Sequence, residues 1–209
     1  MIYLSQLQLN PLSPRVQSEL RNPYEMHRSL SRAFGDGEEA FQQARCMFRI
    51  DLERSPRVLV QSLREPLWND LLQRASYVMQ TPSIKTLEWQ AAPGQCLRFR
   101  LRANPTKRVP SSREGDALAG RRVQLYQEEE QLAWMFRKGE AAGFSVQDCR
   151  VSASERQMSR KQGQTLIHQA VLFDGRLQVT DPEKFSLALA NGIGSGKGFG
   201  FGLLSLARG

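Results

Sequence analysis

The chain holds two histidines, His27 and His168. Imidazole is the side chain whose ordinary pKa, near 6.5, best suits proton transfer at neutral pH. His27 follows a helix-start signature, Asn22-Pro23-Tyr24-Glu25, with Asn22 as N-cap, Pro23 at the first helical position and Glu25 three residues after the cap. At about 100° per residue, Tyr24, His27 and Ser31 share one helix face, with Arg28 beside them. Met26, Leu30 and Phe34 form the neighbouring apolar stripe. The spacing predicts that His27 projects away from the core, one turn from a tyrosine hydroxyl. Two readings stand open: a surface or capping imidazole, or one member of a proton-transfer pair. His168 lies in phase with Leu166, Ala170 and Leu172 on an apolar strand, where a core histidine is expected.

The cationic side chains point to an anionic partner. Among 209 residues, 29 Lys and Arg stand against 21 Asp and Glu, a net charge of +8. The first 92 residues hold 11 basic and 10 acidic side chains and the remainder 18 and 11, so the excess belongs to the second part. Of the basic residues 23 are Arg, which favours planar, bidentate recognition of phosphate, although an Arg-rich proteome would give the same bias. In Cys96-Leu97-Arg98-Phe99-Arg100-Leu101-Arg102 the apolar residues alternate with arginines, as in a strand with one buried and one charged face. Arg98, Arg100 and Arg102 would then match a phosphate backbone, or be paired with acids on neighbouring strands. The second part holds too few acids to pair its arginines, which favours the former.

Glycine occupies every second position from Gly192 to Gly202, around Gly194, Gly196 and Lys197. This is not a P-loop: counting back from Gly196-Lys197, the required first glycine falls on Asn191, and Gly198 replaces the magnesium-binding hydroxyl. The dinucleotide fingerprint fails too, because it needs a strand before it and a helix after it. Two readings remain, a backbone that offers N–H groups and Lys197 to a polyanion, and glycines that let the last strand pack closely on a helix.

Other classes fall away. No apolar run approaches the roughly 18–20 residues of a membrane span, and the first residues lack a basic leader with a long apolar segment. Cys46, Cys96 and Cys149 are odd in number and far apart, so a reducing cytoplasm is expected rather than a disulfide scaffold. No H-x-x-x-H or His–Asp cluster offers a metal site. A nuclease built from these residues would work without metal and without a cofactor. That restricts it to RNA, whose 2′-hydroxyl is a built-in nucleophile.

The elements that must position these groups repeat. The first part reads as a strand (Ile2 to Leu9), the helix carrying His27, a hairpin (Cys46 to Leu52, turn at Glu53-Arg54-Ser55-Pro56, then Val58 and Val60), a short helix (Leu67 to Ala75) and a weaker strand. A junction is expected between Lys85 and Gln95. Strand (Cys96 to Arg102), helix (Tyr126 to Gly139), strands (Phe144 to Val151 and Leu166 to Val179), helix (from Asp181-Pro182-Glu183) and strand (Phe199 to Leu206) follow. Thr106 to Gly120, containing Lys107, is a polar, basic insertion expected to be a mobile loop. Two βαββαβ units predict an α+β protein of tandem ferredoxin-like domains with antiparallel sheets, 1–90 and 96–209.

The segments Asn22 to Arg28, Phe99 to Pro105, Gln131-Leu132-Ala133-Trp134, Val171 to Gly175 and Gly202 to Leu206, with the glycine-rich loop 192–202, resemble the CRISPR repeat-RNA endoribonucleases of type I-E systems, the CasE family, nearly end to end. The resemblance implies binding of a repeat stem-loop and metal-independent cleavage at the 3′ base of the stem, leaving a 2′,3′-cyclic phosphate, within a Cascade complex. A non-catalytic RNA-hairpin-binding subunit is the alternative. The resemblance assigns His27 as general acid/base and Tyr24 as the group assisting the 2′-hydroxyl. It also places basic residues on a hairpin entering the RNA groove, here Ser154 to Gln162, with Lys161 stabilising the transition state and Arg156 and Arg160 binding RNA. Arg28, Arg98, Arg100, Arg102, Lys107, Gly194, Gly196 and Lys197 complete the expected RNA surface.

Overall fold

In the first part, alternating side chains place Leu7 and Ser5 of β1 (Ile2–Gln8) inside, and β1 becomes a central strand of its sheet. The computed structural model describes residues 1–35, 38–52, 55–88, 90–109 and 120–208. After β1 come α1 (Pro14–Arg21), α2 (Pro23–Ser31), α3 (Glu38–Ala44), β2 (Met47–Leu52), β3 (Pro56–Ser62), α4 (Asn69–Gln73) and β4 (Ser83–Leu87). The second part runs β5 (Cys96–Ala103), β6 (Thr106–Arg108), β7 (Arg122–Gln124), α5 (Glu128–Ala141), β8 (Phe144–Lys161), β9 (Gln164–Val179), α6 (Pro182–Asn191) and β10 (Leu204–Arg208). The sheets have the orders β2-β3-β1-β4 and β10-β5-β9-β8, antiparallel throughout. Leaving aside the small β6–β7 ribbon, both read fourth-first-third-second, so the expected tandem ferredoxin-like architecture is present.

Among the described residues, three α-helices and a 3-10 turn (Arg32–Phe34), rather than one helix, separate β1 from β2. Ser13 precedes α1 and Pro14 opens it, but the buried face of that helix carries a carboxylate, which breaks the apolar stripe. Glu19 is buried and accepts hydrogen bonds from Arg15 (2.9 Å), the Ser29 hydroxyl (2.6 Å) and the Tyr77 hydroxyl (2.5 Å), locking α1 against α2. The first residues of the junction expected from Lys85 to Gln95 belong instead to β4, an exposed strand on the edge of the sheet that pairs with β1. The Glu53–Arg54 part of the predicted turn lies outside the described residues. So does 110–119 of the expected loop, whose flanks form the β6–β7 ribbon.

The largest departure is at β8 and β9, read from sequence as separate stretches. They form one hairpin whose pairing runs from Phe144↔Val179 to Lys161↔Gln164. Its turn is Gln162–Gly163, with φ of 50° and 78°, the left-handed pair that a two-residue mirror-image turn requires. β5 pairs with β9 only as far as Val171, so the outer half of the hairpin extends past its sheet. Bulges at Val146/Asp148 and Val151/Ala153 bend it. The closing strand is displaced too: 197–199 form a 3-10 turn, and β10 starts only at Leu204.

Two apolar clusters fill the sheet–helix layers. The first gathers Leu7, Met26, Leu30, Phe48, Val60 and Trp68, so the predicted stripe on α2 is buried. The second gathers Phe99, Trp134, Phe144, Phe173 and Phe185. Trp134 is 2% exposed, stacks on Phe173 with ring centroids 6.1 Å apart, and lies under Gly194. No helix among the described residues is long and apolar enough to cross a membrane. Trp134→Ala should lower unfolding free energy by about 3–5 kcal/mol in urea titration, since a cavity replaces a fully packed ring.

Candidate active site

Burial of Met26 and Leu30, with the Glu19 network behind them, fixes the rotation of α2 and so the direction of Tyr24 and His27. Neither faces open solvent. The His27 ring stacks at 6.1 Å on Phe48 of β2, and Gly198 lies against it. Tyr24 and His27 are 6.4 Å apart, and Tyr24 stacks at 5.7 Å on Phe199 of the 197–199 turn. The expectation that His27 projects away from the core is therefore corrected. A second layer, supplied by the C-terminal loop, closes over that face of α2, and the periodicity of one helix cannot show it.

The hairpin supplies the cation. Lys161 sits with its Nζ 5.3 Å from the centre of the Tyr24 ring. Side chains of Asn22 and Gln157 tie the hairpin to this face. The Asn22 side chain donates to the Arg160 carbonyl (3.2 Å) and accepts from the Arg160 N–H (3.0 Å). Gln157 donates to the Phe199 carbonyl (3.2 Å) and accepts from Arg102 (2.8 Å). Asn22 occupies the predicted N-cap position, but its side chain makes no capping hydrogen bond.

Burial pushes the His27 imidazole down to about 4, and the Lys161 charge adds to the effect. The ring is therefore neutral at neutral pH. A cavity of about 430 Å³ opens beside it, lined by His27, Arg45, Asn191, Lys197 and Gly198 among others. Lys197 donates to the Gly194 carbonyl (3.1 Å), and its pKa is lowered by burial, with Arg45 and Lys138 contributing. His168 is half-buried, with its ring 4.5 Å from Phe199, rather than a core residue with its polar atoms satisfied: its Nδ1 has no hydrogen-bond partner among the described residues.

The remaining predicted residues are dispersed. Leu97, Phe99 and Leu101 are buried and the three arginines lie on the opposite face, as the alternation required. Acids do meet two of them. Arg100 binds Asp174 through two hydrogen bonds (2.7 and 3.2 Å), and Arg102, its side chain 15% exposed, holds Glu155 (2.9 Å) and lies over Phe201. Arg98 donates to the Arg208 carbonyl and, with Arg100, Arg150 and Arg176, lines an open groove. Arg28 pairs with Glu25, and Lys107 with Glu130, both at the surface. Arg156 and Arg160 are exposed on the hairpin. Gly194 and Gly196 take φ of 83° and 84° and turn their bare faces onto Trp134 and Phe201, so close packing is one use of the glycines. Among the described residues, no three His, Cys, Asp or Glu side chains converge as a metal-binding group. The residues missed from sequence are Asn22 in its bridging role, Phe48, Gln157 and Phe199. Phe48 was visible only as a core alternation and Phe199 only as part of the glycine run.

Residues 2–208 match the family model described as CRISPR associated protein. The chain belongs to this CRISPR-associated family. Its relatives include the CRISPR-associated endoribonuclease Cse3 of Thermus thermophilus, 39% identical over 221 residues and covering 99% of this chain and 100% of the relative. The Cascade subunit CasE of Escherichia coli is 32% identical, covering 90% and 92%. Among solved structures, Cse3 bound to a 19-nucleotide RNA superposes with a TM-score of 0.86 at 38% identity, over 99% of this chain and 100% of that one. Cse3 with an RNA representing a pre-cleavage complex gives 0.83 at 37%, over 99% of each. Cas6e of E. coli gives 0.70 at 28%, over the whole of both chains.

With only two histidines, this CRISPR-associated protein allows a direct test by NMR titration of the free protein. The His27 imidazole should stay neutral until the pH falls close to 4. In Lys161→Ala its midpoint should rise only part of the way towards 6.5, because burial is the larger cause. The sign for stability follows: the unfolded chain takes up the proton first. The contribution of neutral His27 is therefore full above pH 6.5 and is lost as pH falls towards 4.

Proposed function

We propose that the chain is an endoribonuclease that binds the stem-loop of a CRISPR repeat RNA and cleaves at the 3′ base of the stem without a metal ion or cofactor. The observation that carries this reading is that Tyr24, His27 and Lys161, from two sequence-distant elements, lie side by side. The relatives' names support it: one is an endoribonuclease with RNA-bound structures, another a Cascade subunit.

The chemistry needs no co-reactant. The 2′-oxygen attacks the adjacent phosphorus while its proton passes to a base; the bond from phosphorus to the 5′-oxygen breaks, and that oxygen takes a proton. The products are a 2′,3′-cyclic phosphate and a 5′-hydroxyl. Neutral His27 is in the form that accepts a proton, and an incoming phosphodiester raises its pKa towards the range suited to transfer. Tyr24 orients the 2′-hydroxyl. Lys161 faces the charge that develops on the non-bridging oxygens.

In this reading the unit 1–90 supplies the catalytic helix and 96–209 grips the stem. Arg156 and Arg160 of the hairpin, Arg98 and Arg100 on the groove, Arg28, Lys107, and the Gly194–Gly196–Lys197 loop contact phosphates. Arg102 is turned inward and braces the hairpin. The protein works in the cytoplasm and stays with its product as a subunit of a Cascade complex, so that one turnover converts the enzyme into a hairpin-binding subunit.

His27→Ala should bind repeat hairpin as wild type does but cleave about 10²–10⁴-fold more slowly. Cleavage should survive chelator, stop on a substrate with 2′-deoxyribose at the scissile nucleotide, and give a burst equal to enzyme concentration. Wild-type cleavage by His27→Ala overturns the assignment.

A further inference from the structure

β8 is the outer strand of its sheet, so along its free edge the N–H and C=O groups have no ladder partner. At Arg160 both groups are taken by one side chain, the amide of Asn22, 138 positions earlier in the chain. The amide plays the part of a single peptide unit of a further strand. Its own residue immediately precedes α2, two positions from Tyr24, while Arg160 immediately precedes Lys161. The contact thus joins the two chain segments that carry the reacting groups, at the nearest backbone positions on each side.

The geometry beyond the contact fits this role. Past Val171 no third strand among the described residues pairs with the hairpin; Gln124, donating to the Ile167 carbonyl, and Asn104, accepting from the Gln169 N–H, hold its β9 side, and Asn22 holds β8 next to the tip. Gln157 also ties β8, to the Phe199 carbonyl, but it lies four residues from Lys161 and fixes the turn beneath Tyr24 instead. Without Asn22 the last residues of β8 keep their pairing with β9 but lose their reference to α2.

We propose that Asn22 is a positioning residue for the cleavage reaction: by holding the Arg160 main chain on both its N–H and its C=O, it sets the Lys161 ammonium over Tyr24 and next to His27. The inference rests on the proposed role of Lys161 and adds a residue that touches no reacting atom. Around His27 the charged groups are Arg45 at the end of α3, Lys197 in the 197–199 turn and Lys161 on the hairpin, with Tyr24 and Cys46 as the other titratable neighbours. The Lys161 charge lowers the imidazole pKa, second to burial, so a displacement of Lys161 can be read from His27.

The test combines rates with that titration, using the full chain and a labelled repeat hairpin under single-turnover conditions. Asn22→Ala should slow cleavage about 10–100-fold with hairpin affinity within about threefold. In a Lys161→Ala background the same change should alter the rate less than about twofold, because the group being positioned is gone. The NMR midpoint of His27 in Asn22→Ala should move upward as it does in Lys161→Ala, with the wild-type unfolding midpoint showing that the fold is intact. Equal slowing in both backgrounds, or an unmoved His27 midpoint, overturns the proposal and leaves Asn22 a brace of the fold. If Lys161→Ala cleaves at the wild-type rate, the reading of Lys161 falls. The His27 midpoint then still decides whether Asn22 places the hairpin.

Discussion

The contact on which the site depends is a pair of hydrogen bonds between an asparagine amide and one peptide unit of a distant strand. Locally, Asn22 could have capped α2, an arrangement worth about 1 kcal/mol. Two net hydrogen bonds of roughly 0.5–1.5 kcal/mol each replace it. The difference is small, so stability alone does not explain the choice. What the exchange secures is relative position. Lys161 over Tyr24, Phe199 against Tyr24 and Gly198 against His27 all require the hairpin and the C-terminal loop to sit on α2 in one register. The same closure buries His27 and keeps its imidazole neutral at neutral pH.

Net charge misleads about which cations are available. Arg100, Arg102, Arg176, Arg28 and Lys107 all have carboxylate neighbours. Exposed pairs are worth about 0–1 kcal/mol, less than a charge-assisted bond to phosphate, so the pairs at Arg28 and Lys107 leave both cations free to exchange partners. Arg102 differs. Its guanidinium is shared among Glu155, Gln157 and the Phe201 ring, and moving it would also release Gln157 from Phe199.

Sequence showed the architecture because each unit obeys the period of its elements: two residues in β5, three to four along α2. It showed Tyr24 and His27 because they share a turn of one helix. It missed α1 because a buried carboxylate interrupts the stripe, and it missed the join of β8 to its distal half because Ser152 to Arg156 are polar and exposed on both faces. The paired arginines were misjudged for a related reason. Counting acids in a segment ignores register, and Arg100↔Asp174 is a cross-strand neighbour. The position of Lys161 over Tyr24 could not be read from any local pattern, because it arises from contacts between residues more than 130 apart. Only the resemblance pointed to Lys161.

The long reach of the hairpin has a consequence for the order in which the protein is made. His27 and Tyr24 leave the ribosome early, but the peptide that Asn22 grips is 138 residues further on. At about 5–20 residues per second, roughly 7–28 s separate them. Throughout that interval the growing chain lacks both Lys161 and the C-terminal loop that covers His27. The grouping of Tyr24, His27 and Lys161 is therefore completed only by the last quarter of the polypeptide.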